Sequence, residues 1–596
     1  MENLTPITDP EEVKTFLASS QIISPSFQLY DGASGFQDFG IVGTPIKHHV
    51  TDLWRRIMFR SGDIHEVETP VINITPVLMA SGHIDKFFDL VVHDRHGKCH
   101  RADHLVKNAG VGNQNIDEMS ATELEAIIKT HHLVDCDPND IKVQPKTLMM
   151  TAGSDYLRPE LAQGIFVNMK QYLDYFANKL PFGIAQVGPS FRREVSSQPF
   201  VRLRSFNQME IEYVFDPQAP THRLFDQVRG RVLRLLPTSS QTEGTGVRLM
   251  TVGRAVRSGL ICNQIMGYFL AKLQEFAEGV GLDPTRIRFR QHLPNEMAHY
   301  ALQCWDLECQ VFTQWLECAG CAHRGDHDLR AHNVKDVFTM KRNTYTTKTD
   351  KTINIKELKK RGLDFKAVAR ALAPPSVEEI VKRFSLPAPC ADALRALRAS
   401  ASATPPTPAT PIEELATTYA LSDECVALCR HTPKSVDQII TEFAVPEDCV
   451  VSHETKVWDT FIPHVLEPSI GLDRVCYALL VQNICRRLGD EKRIVLRLCR
   501  AVSPYNVAVF PLSNQPELNA VVDMIVTLLT GHGLRCLTEY SSVSIGKRYV
   551  RADEIGVDRC ITVDFDTLSD NAVTIRTRDT MAQVRVPITG LLESLM

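Results

Sequence analysis

Counted in twos from Arg202, the chain places Arg202, Arg204, Phe206, Gln208, Glu210 and Glu212 on one side and Leu203, Met209, Ile211 and Tyr213 on the other. That is the signature of a strand with one apolar face, fit for a core, and one face that runs from cation through aromatic ring to anion. Thr44 to Arg60 has apolar residues near helical spacing, with Pro45 at a helix N-terminus. Ile64 to Pro70 reads as a strand and Leu161 to Ala177 as one helix. RFRQHLPNEMAHYA and VFTQWLECAGC, between Arg288 and Cys321, read as two more strands of an antiparallel sheet. Past Phe461, IPHVLEPSIGLDRVCYALLVQNI reads as strand, glycine turn and buried helix.

The end of the chain changes rhythm. Strands at Asn506 to Leu512, Leu534 to Glu539 and Cys560 to Phe565 alternate with helices near Glu517 to Leu529 and from Ile545, and the hairpin VTIRTRD and MAQVRVPI follows. This predicts a separate small α/β domain. The expected organisation is a body over 1–104, 146–345 and 451–494, a polar insertion over 105–145 with one helix in SATELEAIIKTHH, a helical insertion over 346–450 and the last domain over 495–596. The Pro/Thr/Ala run near 399–411 predicts a flexible linker inside the second insertion.

Composition narrows the class. With 596 residues, 44% hydrophobic and 23% charged, the chain is an ordinary globular protein of several domains. No apolar run is long enough for a membrane span, and the acidic start MENLTPITDPEEVKTF is not a targeting segment, so a cytoplasmic location is expected. A net charge of -5 argues against indiscriminate nucleic-acid binding and permits a local basic patch. Cys318 and Cys321 alone have metal-ligand spacing, and Cys304 and Cys309 are spaced wrongly to complete a zinc site.

Arginine is the natural partner of phosphate because its planar fork donates two parallel hydrogen bonds and stays charged. Arg192 and Arg202 therefore point to a polyphosphate, Phe206 to a stacked purine, and Glu210 with Glu212 to a cation beyond it. The same rows also suit a solvated face with cross-strand ion pairs. LEPSIGLDR adds Glu467 and Ser469 on one side of a strand and then Arg474 in the first turn of a helix, where amides and guanidinium together attract an anion. YLRPELAQG supplies Arg158 and Glu160, and QWLECAGCAHR supplies Glu317 and Arg324. Phosphate-loop, dinucleotide-fold and nucleophile-elbow motifs are absent. Two bound substrates that react directly need only positioning and charge stabilisation.

SFRRE with RLRSFNQMEIE resembles motif 2 of class II aminoacyl-tRNA synthetases, GLDR with its helix resembles motif 3, and the helix and strand ending at Pro70 resemble motif 1. GFQDFGIVG, SGHIDKFFD, CHRADHL, YLRPELAQG, FRQHLPNEMAHYA, LEPSIGLDR and SIGKRYVRADEIG together resemble glycyl-tRNA synthetases of the dimeric eukaryotic and archaeal type. The resemblance implies an α/β multidomain fold: an antiparallel catalytic sheet flanked by helices, with a C-terminal α/β anticodon-binding domain. It implies a ligase that makes glycyl-adenylate from glycine and ATP and passes glycine to tRNA; some members also make diadenosine tetraphosphate. By the same resemblance Arg192, Arg193, Glu194, Arg202, Leu203, Phe206 and Arg474 bind ATP, with Glu317 and Cys318 on the ATP and magnesium side. Glu160, Glu210, Glu467, Pro468 and Ser469 bind glycine, and Arg192 and Arg474 carry the catalysis. A homodimer is implied, and Arg548, Arg551, Arg576, Arg578 and Arg585 are candidates for tRNA contact. The chain departs from the pattern at Arg193, where asparagine is common, at the loop SSQPF, and at Asp473 in place of glycine. Rival readings are a class II synthetase for another amino acid and a non-catalytic relative kept as a nucleic-acid-binding subunit.

Overall fold

In the computed structural model, residues 4–595 are described except 112–115, 117–118, 299, 374–375, 402–411, 423–424 and 427–434. The chain divides into two units, Met1–Met340 with Ile462–Met596, and Lys341–Phe461.

The first unit is built on nine strands: β1 (Ile64–Glu66), β2 (Phe182–Phe191), β3 (Ser205–Phe215), β4 (Val232–Leu236), β5 (Arg248–Thr251), β6 (Ile287–Gln291), β7 (Gln303–Val311), β8 (Gln314–Gly325) and β9 (His464–Gly471). They lie in the order β5-β4-β6-β7-β8-β9-β3-β2-β1, antiparallel except for the pairs β1–β2 and β4–β6. Helices α1 (Gly43–Met58), α2 (Gln264–Val280) and α3 (Leu472–Asn483) pack together against this sheet. Met209, Ile211 and Tyr213 of β3 join Trp54 of α1, Phe269 and Phe276 of α2 and Leu479 of α3 in the main core. The period of two thus leaves the even positions of β3 for the other face. α1 begins at a glycine for steric reasons: a Cβ on Gly43 would lie 1.9 Å from the Ile22 carbonyl oxygen.

Local details differ from the sequence expectations. The stretch Leu161 to Ala177 forms two short helices, Ala162–Phe166 and Met169–Tyr175. Asn168 breaks it: its side-chain amide donates to the Gly164 carbonyl at 2.9 Å, taking the acceptor that its own N–H would use in a continuous helix. β1 ends at Glu66, well short of Pro70. Between Arg288 and Cys321 there are three strands, because Gln303–Val311 forms β7 between β6 and β8. The helix expected in SATELEAIIKTHH runs Ala121–Thr130 and is closed by a Ser120–Glu123 capping box. Around it Val92, Val106, Leu124, Ile128 and Ile141 make a small core of their own.

The second unit carries a two-stranded ribbon, Met340–Ile353 with Val450–Phe461, and short helices between them. Helix Ala388–Ala401 runs into the expected linker, whose remainder, 402–411, lies outside the described residues.

The C-terminal part of the first unit has β10 (Val507–Pro511), α4 (Pro516–Gly531), β11 (Cys536–Thr538), α5 (Ile545–Glu554), β12 (Arg559–Val563), β13 (Ala572–Thr577) and β14 (Gln583–Pro587), with sheet order β11-β10-β12-β13-β14. Three of its candidate tRNA-contact arginines are interior: Arg548, Arg576 and Arg578 are 1%, 2% and 3% exposed. Arg548 donates to the Val543 and Leu512 carbonyls, and Arg578 to those of Leu496, Leu498 and Gly556. Arg576 grips Asp553 with two hydrogen bonds, of 2.8 and 3.0 Å. They satisfy buried acceptors and are closed to RNA; Arg551 and Arg585 remain at the surface, paired with Glu539 and with Asp564 and Asp570.

Asp553, fully buried, also meets Arg487 at 3.3 Å and Arg493 at 3.0 Å, tying the segment just before the last domain to it. Removing one partner of a buried ion pair strands the rest, so Asp553→Ala should cost about 3–5 kcal/mol in chemical denaturation of the full chain. A loss below about 1 kcal/mol would show that these arginines are hydrated.

Candidate active site

The even-numbered face of β3 forms the floor of a cavity of about 330 Å³. Arg192, Glu194, Arg202, Leu203, Phe206, Glu317, Cys318 and Arg474 line one part, and Glu160, Glu210, Glu467 and Ser469 the other. Arg193 and Pro468 do not reach it. Arg193 is exposed beside the strand end, and Pro468 lies on β9 between Glu467 and Ser469, pointing to the opposite face by strand alternation. The alternation counted from Arg202 also fails at its start. β3 begins only at Ser205, and Arg204 turns aside to donate to the Glu194 carbonyl.

At the cationic end, the Arg192 guanidinium lies 5.3 Å from the centre of the Phe206 ring and donates to the Pro159 carbonyl. Arg202 sits 3.9 Å from Glu194, and its Nη1 is a buried donor without a hydrogen-bond partner among the described residues. Arg474 is held by the Val201 and Glu317 carbonyls, at 2.9 and 3.0 Å, while its Nη1 lies 3.4 Å from the Glu317 carboxylate. Asp473 does not oppose Arg474. Its carboxylate takes the Lys47 ammonium at 2.6 Å and the Asn207 N–H at 2.7 Å, binding α1 to the start of α3.

The anionic end is set by register. β3 pairs Glu210 with Ser469 of β9, and β9 pairs Glu467 with Ala322 of β8. Glu210 accepts from the Leu161 N–H at 2.9 Å, from Gln208 at 2.7 Å and from the Ser469 hydroxyl at 2.8 Å. Arg324, 1% exposed, donates to Glu467 at 2.8 Å, to both Asp328 oxygens at 2.7 and 2.9 Å, and lies against the Tyr300 ring. Glu160 is 3.0 Å from the Gln163 amide and 3.5 Å from His83.

Crowding sets the charge states. Desolvation, then Glu467 and Glu160, push the Glu210 carboxyl up to about 8. Desolvation raises Glu467 too, against the pull of Arg324. Glu160 goes the other way: desolvation is outweighed by His83, Arg324 and the Gln163 amide, which hold it well below the usual carboxylate range. Such divergent shifts packed into one cleft mark a site built for a charged ligand.

A β-bulge at Cys318 breaks the alternation of β8, and Cys318 and Cys321 both join the main core; burial pushes both thiols up, and neither belongs to a metal-capable group among the described residues. Sequence reasoning missed Asp328, Tyr300 and Lys47. Asp328 was signalled by its place four residues after Arg324 at a helix start, whereas the Lys47–Asp473 contact spans 426 residues and leaves no local trace.

The chain is similar over most of its length to proteins of known family. A family model for the anticodon binding domain matches residues 506–595. The chain is 35% identical to a glycine–tRNA ligase of Methanothrix thermoacetophila, covering 97% of this chain and 94% of the relative. It is 34% identical to that of Methanocaldococcus jannaschii, over 96% and 95%. With the Drosophila melanogaster enzyme it shares 33% identity over 97% of this chain and 76% of the relative. Among solved structures, prolyl-tRNA synthetase of Cryptosporidium parvum complexed with L-proline and AMP superposes with a TM-score of 0.50 at 11% identity, over 98% of this chain and 73% of that one. At that identity the likeness is one of fold, which is that of class II aminoacyl-tRNA synthetases with an anticodon-binding domain at the C-terminus. By its near full-length likeness to these enzymes, the chain belongs to the glycine–tRNA ligase family.

Proposed function

We propose that the two ends of the cavity divide the family's ligation between them, ATP lying on the arginines and glycine on the carboxylates. The observation that carries this reading is one continuous cavity lined by Arg192, Arg202 and Arg474 in one part and by Glu160, Glu210 and Glu467 in the other. Phe206 takes the adenine ring, with Arg202, Glu194 and Leu203 around the nucleotide. Arg192 stabilises the α-phosphate while the glycine carboxylate attacks it, and Arg474 holds the departing pyrophosphate. These are preorganised charges aimed at where negative charge grows.

Glycine is held through its ammonium by Glu160, Glu210 and Glu467, with the Ser469 hydroxyl completing the chamber. Larger amino acids are excluded because the space for a side chain is filled; forcing in one methyl costs roughly 1–3 kcal/mol. Glu317 would hold a magnesium ion at the ATP end: its carboxylate is 55% exposed beside Arg474, and magnesium is bound through one or two carboxylates. The ion would neutralise charge on the leaving pyrophosphate. In the second step the terminal ribose hydroxyl of tRNA takes glycine from the adenylate, while the C-terminal domain reads the anticodon through its surface, where Arg551 and Arg585 lie. A homodimer in the cytoplasm, using cytoplasmic tRNA, completes the proposal by family likeness.

Pyrophosphate exchange into ATP, run with all twenty amino acids, should respond to glycine alone; no exchange from folded protein would overturn the reading. Arg474→Ala should slow that exchange by about a hundredfold or more. Glu467→Gln should raise the KM for glycine about tenfold to a hundredfold, the scale of one charged hydrogen bond, and change the KM for ATP far less. Equal effects on both substrates would place Glu467 outside the glycine chamber.

A further inference from the structure

Glu212 is the one carboxyl of this cluster that the proposed reaction does not use. It is fully buried on β3, and neither of its oxygens has a hydrogen-bond partner among the described residues. Register fixes what it faces. β3 pairs Glu210 with Ser469 and Tyr213 with Leu466, which sets Glu212 across from Glu467. Oxygens of Glu210, Glu212 and Glu467 all lie within 4.8 Å of one another. Like charges directly opposite on neighbouring strands repel, and carboxylates sharing a dry site cannot all ionise.

The surrounding charges relieve this only in part, through Arg324. Arg324 serves Glu467 and Asp328 together. Glu160, beside His83, adds a further negative group, and Tyr300 faces the same space. Arg158 is near Glu210, but its guanidinium is turned to the Thr69 and Pro189 carbonyls. Desolvation first, and then Glu467, raise Glu212 well above the carboxylate range. The cluster therefore holds protons when glycine is absent.

We propose that glycine binding is a proton exchange: the ammonium displaces one proton from the Glu210–Glu212–Glu467 cluster, while Glu212 stays protonated as a neutral positioning residue behind the two anions. An O–H bond of one carboxylic acid breaks, its electron pair stays on oxygen, and the proton goes to bulk buffer. One positive charge leaves the chamber as another enters, so the burial cost of the carboxylates is met equally in both states. The inference rests on the placement of glycine proposed above.

With Glu210 at about 8, the proton to be displaced is present below that pH and gone above it. Glycine affinity should thus rise up to about tenfold per pH unit from pH 6 to 8 and then level, the slope expected for one proton released. Calorimetric titration of glycine into the full chain at pH 7, in phosphate and in Tris, should yield close to one proton released per glycine. Release of none, with glycine-dependent pyrophosphate exchange intact, would overturn this inference alone; loss of the exchange itself would overturn the placement of glycine. Glu212→Ala should raise the KM for glycine tenfold or more, and Glu212→Gln, the neutral isostere of the acid, should restore it to within about threefold. If Glu212→Gln instead weakens glycine as much as Glu467→Gln, Glu212 is an anionic ligand and its assigned role is wrong.

Discussion

The active-site geometry depends on one guanidinium. Arg324 is almost wholly buried, grips Asp328 with two hydrogen bonds and Glu467 with a third, and lies under the Tyr300 ring. A chamber lined by carboxylates would repel itself apart, and an isolated buried charge is far too costly to keep. Arg324 solves both problems from one point. It anchors the strand and helix that carry the anions, yet neutralises only part of their charge, and the remainder falls to protons or to the ligand.

Strand pairing does the rest of the placement. Antiparallel register brings Glu210, Ser469 and Gly320 into one row across β3, β9 and β8, although they are scattered along the chain. The odd positions of β3 enter the core while the even ones face the cavity, so stability and chemistry occupy opposite sides of the same strand. A one-residue slip would exchange them, which ties the site to correct folding of the core.

Much of this was legible in the sequence because it depends on local period and residue type. The alternation from Phe206 to Glu212, the turn before Arg474 and the strand–helix rhythm after Asn506 are short-range signals, and all appear as elements. What escaped was set at a distance. β7 escaped because its alternating Asp306 and Glu308 look like surface positions; they are buried by pairing with Arg288, Arg290 and His292 on the neighbouring strand and loop. Arg548, Arg576 and Arg578 looked like an RNA-facing set for the opposite reason: composition cannot tell an arginine that satisfies interior carbonyls from one in solvent. Asp473, a departure from the family pattern, takes its role from Lys47, 426 residues away, a partner no local signal reveals.

That pairing has a wider effect. With Asp473 occupied by Lys47, its charge is met inside the protein, and Arg192, Arg202 and Arg474 line their part of the cavity without it. Glycine enters as a zwitterion. On the proposed placement its ammonium would face the carboxylate end and its carboxylate the arginine end, the orientation in which its oxygen meets the phosphorus.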